Sequence, residues 1–235
     1  MIIAIETSTT FGSVAAVEEG KLLAEECVFV PQGHCESVLP MLEKMLSQAR
    51  IDISSAEAFA VALGPGSFTA LRIGLSTAKA LSFSSGKPLI GVGTLDAIAY
   101  NVAGLCQYVC PIIDAKRGEV FYSLYSDRAG RQEKLMECKA GHPEMAVIEL
   151  ASLLSRTADG YVAFLGDGIE LCREHIETRI GGRALFSHYH LGIPRASSVG
   201  ILALDLFKQG KVEDVERVEP IYVRRSDAEL RRERT

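Results

Sequence analysis

The chain is 235 residues long, 48% hydrophobic and 23% charged, a composition that excludes disorder and suffices for one domain or for two of about 110 residues. Its 25 Lys and Arg face 30 Asp and Glu for a net charge of -5, which disfavours a broad electrostatic grip on nucleic acid and leaves only local basic patches. Six cysteines at 27, 35, 106, 110, 138 and 172 form no Cys-x-x-Cys pair and are expected to be reduced, mostly buried thiols of a cytoplasmic protein. Met1-Ile2-Ile3-Ala4-Ile5 starts a strand directly, without a basic leader, and no apolar run approaches about 18 residues, so neither export nor a membrane span is expected.

In chain order, strands are predicted over 2–6, 12–17 and 22–29, the last two joined through a turn at Glu19-Gly20 into an antiparallel hairpin. A helix follows over about 35–49, with Leu39, Leu42, Leu46 and Ala49 facing inward, Val38, Met41 and Met45 widening the apolar surface, and Pro40 tolerable in the first turn. A buried strand over 58–63 leads into a glycine turn and a helix over 67–84. A strand over 89–92 and a helix over 94–103, with Asp96 in its first turn, complete this block. A second block begins near Tyr108, with strands over 109–113 and 120–125, polar turns over 114–118 and 127–130, then helix 144–156, strand 162–165 and helix 169–178. The order strand-strand-strand-helix-strand-helix thus occurs roughly twice, which implies two related α/β lobes rather than one continuous sheet. The division expected is 1–105, 106–195 and a C-terminal segment 211–235, exposed from 225 on, with a helix over 197–210 packing back on the first lobe.

The glycine turn is Gly64-Pro65-Gly66-Ser67. Its glycines permit backbone angles closed to residues with a Cβ, Pro65 fixes one φ, and Ser67 stands where a hydroxyl caps a helix. Such a helix start offers N–H groups and a positive dipole end to an anion, yet the Gly-Lys-Ser/Thr ending of a P-loop and the Gly-x-Gly-x-x-Gly of a dinucleotide fold are both missing. Within the helix, Leu71, Leu75, Ala78 and Ser82 form one stripe, and Ala70, Gly74, Thr77 and Leu81 a second of little bulk. A glycine inside a helix costs up to about 1 kcal/mol relative to alanine, so Gly74 implies close approach by another backbone, from a neighbouring helix of this chain or of a partner. Plain internal packing stands beside that reading.

Glu6-Thr7-Ser8-Thr9 sets an acid and hydroxyls at a strand end, a pattern suited to magnesium or phosphate, although a lone carboxylate fits a capped structural loop better. The histidines make no metal set: His188 and His190 would share one side of a strand, while His34, His142 and His175 lie in separate elements. No Gly-x-Ser-x-Gly elbow occurs, and Ser67 as a cap needs fewer assumptions than Ser67 as a nucleophile. Asp114 to Glu119 forms a charged hairpin with Lys116 and Arg117 at its tip, able to clamp a phosphate or carboxylate, or simply solvated. From Arg224 onward five basic and three acidic residues give a net of +2, which supports at most an auxiliary RNA contact.

Several segments, in this order and across the whole chain, resemble the TsaB family of bacterial tRNA threonylcarbamoyladenosine biosynthesis proteins. They are Ile3-Ala4-Ile5-Glu6-Thr7-Ser8, His34 with Leu39-Pro40, the glycine motif from Gly64 to Gly74, Gly91-Val92-Gly93-Thr94-Leu95, the run from Asp114 to Val120, and Pro220-Ile221-Tyr222-Val223-Arg224. The resemblance implies a two-lobed actin-like, sugar-kinase-like (ASKHA) α/β fold of duplicated ribonuclease-H-like subdomains. It implies a partner protein with no catalytic residue, metal or cofactor of its own. Such a protein supports the paralogue TsaD, which transfers the threonylcarbamoyl group to N6 of adenosine 37 in tRNAs reading codons that start with A. TsaE is the ATPase partner, ATP or ADP and metal belong to the partners, tRNA is met through the complex, and a homodimer forms when the partner is absent.

The same resemblance assigns the pairing surface to two helices of the first lobe. On this chain these carry His34, Val38, Leu39, Met41, Leu42 and Met45, then Ser67, Ala70, Leu71, Gly74, Thr77, Ala78 and Leu81. Glu6, Thr7, Ser8, Lys116, Arg117 and Arg224 are the candidates for a nucleotide, phosphate or tRNA contact. The family usually has Gly at Ala70 and commonly Arg at Lys116, so this chain adds a methyl at one position and loses a planar fork at the other. TsaD's paired metal histidines are missing, His34 standing without a second histidine before Arg50. Two rivals remain: a sugar-kinase-like ATPase or peptidase, with Glu6, Asp114 and Asp167 as its visible carboxylates, and a tRNA-binding module using Lys116, Arg117 and the tail.

Overall fold

The computed structural model describes residues 1–31 and 33–224, so the exposure expected for the tail from 225 lies outside the described residues. In chain order the elements are β1 Ile2–Glu6, β2 Phe11–Glu18, β3 Lys21–Phe29, α1 Val38–Ala49, β4 Ala58–Gly64, α2 Phe68–Ser85, β5 Leu89–Gly93 and α3 Thr94–Tyr100. There follow β6 Tyr108–Lys116, β7 Glu119–Arg128, β8 Arg131–Gly141, α4 Pro143–Leu154, β9 Val162–Leu165, α5 Ile169–Arg179, β10 Ala184–Phe186 and α6 Ala196–Lys208. Two units result: Met1–Ala97 with Pro194–Tyr222, and Ile98–Ile193 with Val223 and Arg224. The first boundary falls at 97 rather than 105, and the segment over 211–222 belongs to the first unit.

The first unit is built on a five-stranded sheet of order β3-β2-β1-β4-β5. Its hairpin strands run antiparallel and β1, β4 and β5 run parallel. Both β1 and β4 are buried along their whole length, as apolar runs covered on both faces must be. Period-two alternation sends Ile3, Ile5, Val14, Ala16, Phe59 and Val61 to the face that α1 and α2 cover. Ile2, Ala4, Ala15, Val17, Ala58 and Ala60 go to the other face, where Ala196, Val199 and Ala203 of α6 cover them.

In α1 the buried residues are Val38, Met41, Leu42 and Met45. Leu39, expected to face inward, is 57% exposed. The helix starts at Val38 rather than 35, and its buried set runs i, i+3, i+4, i+7, which turns Leu39 about 100° off the stripe. Pro40 lies in the first turn, where its missing N–H has no helical acceptor to serve.

The second unit has a sheet of order β10-β9-β6-β7-β8. Read from its other edge, it repeats the first: three antiparallel strands, then two parallel to the first of them. The doubled order read from the sequence is therefore present as topology. Two strands were not given a range beforehand, the three-residue β10 and the long β8. β8 is an edge strand with only Met136 buried and two register shifts against β7, so its alternation is broken where a pattern would be sought.

Two smaller expectations are corrected. His188 and His190 do not lie on a strand: His188 precedes and His190 lies within a short 3-10 turn over Tyr189–Gly192, both exposed. Only Cys110 and Cys172 are buried, while Cys35 is exposed and the other three are half-buried: Cys27 and Cys138 lie on the edge strands β3 and β8, and Cys35 and Cys106 on connecting segments. Among the described residues no helix is long and apolar enough to cross a membrane.

Candidate functional site

Glu6 closes β1 with its carboxyl fully buried. Its Oε1 accepts the Ser8 N–H at 2.7 Å, while Oε2 and the Ser8 hydroxyl have no partner among the described residues. Burial pushes the Glu6 pKa up to about 7, against the opposing pull of hydrogen bonding from Ser8. A carboxyl with no solvent face offers nothing to the hydration shell of an ion.

The next two residues are where the glycine motif lands. Ser67 donates its N–H to the Ser8 carbonyl at 2.8 Å, and the Thr7 hydroxyl donates to the Ala70 carbonyl at 2.8 Å. A Cβ on Gly66 would lie 2.3 Å from the Ser8 oxygen, and one on Gly74 would lie 2.3 Å from Thr7 Oγ1. The neighbour that Gly74 makes room for is thus Thr7, not a second helix, and this corrects the expectation. The capping bond expected of Ser67 is also not formed by its side chain; its backbone N–H serves the loop instead. The Ala70 and Gly74 end of the small stripe is a socket for the chain's own strand-end loop.

Burial sorts the residues assigned to the pairing helices. His34, Val38, Met41, Leu42, Met45, Ala70, Leu71, Gly74 and Ala78 are buried within the unit, so a partner meets none of them directly. His34 is held by its Nε2 at 2.7 Å from the Thr9 carbonyl. Leu39 and Ser67 are exposed, and Thr77 and Leu81 half-buried. The outward face of α2 is instead Phe68, Arg72, Ser76, Ala80 and Phe83, the last 79% exposed. Sequence reasoning passed over these, although they recur at helical i, i+4 and i, i+3 spacing beside the apolar stripe.

One end of that face is ordered by the segment after α6, which returns along α2. Ile221 donates its N–H to the Leu63 carbonyl at 2.7 Å, and Lys79 reaches the Glu216 carbonyl at 3.3 Å. Tyr222 stacks on Phe68 with ring centroids 5.0 Å apart. The Arg72 guanidinium lies 3.9 Å from the Phe68 centroid and donates through Nε to the Tyr222 hydroxyl at 3.2 Å.

In the second unit the charged hairpin holds itself. Asp114 accepts the Lys116 N–H at 2.6 Å and its ammonium at 2.7 Å, which keeps Lys116 turned back on its own strand. Lys116, Arg117 and Gly118 have φ of 63°, 58° and 76°, a run of left-handed residues that tightens the tip. Asp167 accepts the Asp114 N–H at 2.9 Å, and burial raises its pKa against that bond. Arg224 pairs with Glu119 at 2.7 Å. Among the described residues no group of three or more His, Cys, Asp or Glu is arranged to hold a metal ion.

Comparison with known proteins agrees with this layout. Residues 29–232 match the family model described as "TsaD: tRNA N6-adenosine threonylcarbamoyltransferase". The chain is 30% identical over 237 residues to the tRNA threonylcarbamoyladenosine biosynthesis protein TsaB of Escherichia coli, covering 97% of this chain and 96% of that one. Among solved structures, YeaZ from Pseudomonas aeruginosa superposes with a TM-score of 0.77 at 26% identity, covering 94% of this chain and 98% of the other. The ROK hexokinase from Thermus thermophilus superposes with a TM-score of 0.51 at 13% identity, covering 89% and 99%, a likeness of fold alone. The fold is the α/β actin-like, sugar-kinase-like one, and the matches run nearly end to end. With the glycine socket, the repeated sheet and these matches together, the chain belongs to the TsaB family of tRNA threonylcarbamoyladenosine biosynthesis proteins, within the wider TsaD family.

Proposed function

We propose that this protein serves N6-threonylcarbamoyladenosine formation as a non-catalytic partner of TsaD, at position 37 of tRNAs reading codons that start with A. One observation carries the reading: the elements a nucleotide-handling relative would turn to its ligand are closed in on the chain itself. Glu6 is fully buried, and the glycine turn before α2 is filled by Thr7 and Ser8. Catalysis needs groups that reach the reacting atoms, and these do not. The outward faces of α1 and α2 meanwhile present Leu39, Phe68, Ala80 and Phe83, apolar surface suited to a helix partner. In this reading TsaD covers that face, a second copy covers it when TsaD is absent, TsaE joins as the third protein, and ATP or ADP and metal are held by the partners.

The test is reconstitution with TsaD, TsaE, tRNA, ATP, threonine and the carbamoyl-adenylate-forming enzyme, with and without this chain. Modification should depend on it while the chain alone turns over no ATP. ATP turnover by the isolated chain that disappears in Glu6→Ala would overthrow the reading in favour of an ATPase.

A further inference from the structure

We infer that Arg72 is a preset receptor for a carboxylate on the protein that covers the outer face of α2, an inference that rests on the pairing reading above and adds the chemistry the partner must supply. The guanidinium is fixed on two sides, by the Phe68 ring beneath it and by the Tyr222 hydroxyl at Nε. Neither Nη group has a hydrogen-bond partner among the described residues, and the residue is exposed. Arg72, exposed on its helix, has no ion pair among the described residues, and what sets it apart is that its guanidinium is nevertheless held by a ring and a hydroxyl. Its fork is therefore ordered before any partner arrives, and little rotamer freedom is lost on binding.

Its surroundings say what covers it. Phe68 is 37% exposed and Ile221 47%, and Phe83 in the last turn of α2 is 79% exposed. A protein surface that buries these apolar groups buries Arg72 with them. An arginine taken out of water without a counter-charge is costly, so the covering surface must bring an acceptor, and a carboxylate matches the two Nη donors. A nucleic acid fits worse: Glu216 and Glu219 are exposed on the returning segment, Glu36 and Glu43 on or beside α1, and the whole chain carries -5, all unfavourable to a polyanion. Arginine and tyrosine flanked by apolar rim residues are also the side chains that most often dominate protein interfaces.

The experiment is titration calorimetry of the full chain with TsaD from the same organism at low and high NaCl, using wild type, Arg72→Gln, Arg72→Lys and Tyr222→Phe. Thermal melting confirms that each variant is folded. Arg72→Gln should weaken binding about tenfold or more and flatten its salt dependence, Arg72→Lys should recover part of the loss, and Tyr222→Phe should weaken it by about threefold. Wild type and Arg72→Gln binding equally tightly would overturn this inference and leave the pairing reading standing. Absence of any wild-type binding would overturn both. Unchanged TsaD affinity with loss of salt-sensitive tRNA retention in Arg72→Gln would overturn it in favour of a phosphate contact.

Discussion

A methyl group added at Gly74 has nowhere to go: it would stand 2.3 Å from Thr7 Oγ1, the atom whose proton satisfies the Ala70 carbonyl. Alanine is the better helix former by about 1 kcal/mol, but overpacking a closed site costs about 1–3 kcal/mol, so Gly74→Ala is expected to be destabilising overall. In a Thr7→Ala background the same substitution should cost less, since the nearest obstacle is gone; urea unfolding of the four-member cycle measures the coupling. Glu6 supplies a second expectation. Its carboxyl ionises near 4.5 when unfolded and at about 7 when folded. Between these values the folded state keeps a proton that the unfolded state has released, so stability falls as pH rises through the window and the full penalty is present above it. Glu6→Gln, always neutral, should therefore gain on the wild type by up to about 3 kcal/mol at pH 8 and by little at pH 4, measured by denaturant unfolding across pH.

At the scale of elements, α2 is a helix with one occupied side and one open one: its buried stripe holds the sheet and the Thr7 loop, and its outer stripe faces outward. Substitutions should separate along that line. Ala80→Glu on the outer stripe is expected to change stability by less than about 0.5 kcal/mol while abolishing pairing with TsaD in analytical ultracentrifugation. How far the sequence revealed each element follows from how locally its cause is written. β1 and β9 were legible to the residue, because each is a short uninterrupted apolar run closed at its C-terminal end, by Glu6 in one and Gly166 in the other. The buried stripe Leu71, Leu75, Ala78 and Ser82 was legible from periodicity alone. Gly74 announced that something approached it but not what, since Thr7 comes from another strand's end and the Thr7–Ala70 bond spans 63 positions. The exposed platform of Phe68, Arg72 and Tyr222 was missed for the same reason, two of its members being 150 positions apart.

At the scale of the whole molecule, one pattern of five strands is used twice, and the first use is completed by residues from the far end of the chain. Without α6 the face made by Ile2, Ala4, Ala15 and Val17 has no cover. A chain ending at Ile193 is therefore expected to lose the cooperative unfolding of the first unit and to bind a hydrophobic dye, whereas the second unit, whose strands all lie between 108 and 186, should keep native-like circular dichroism. That interrupted layout also sets a schedule on the ribosome. The N-terminal sheet emerges first yet must wait with one face bare through the synthesis of an entire inserted unit, until the helix beginning at Ala196 clears the exit tunnel. The first part made is the last part finished, and the interval between is when chaperone capture or aggregation of a nascent chain would act on it.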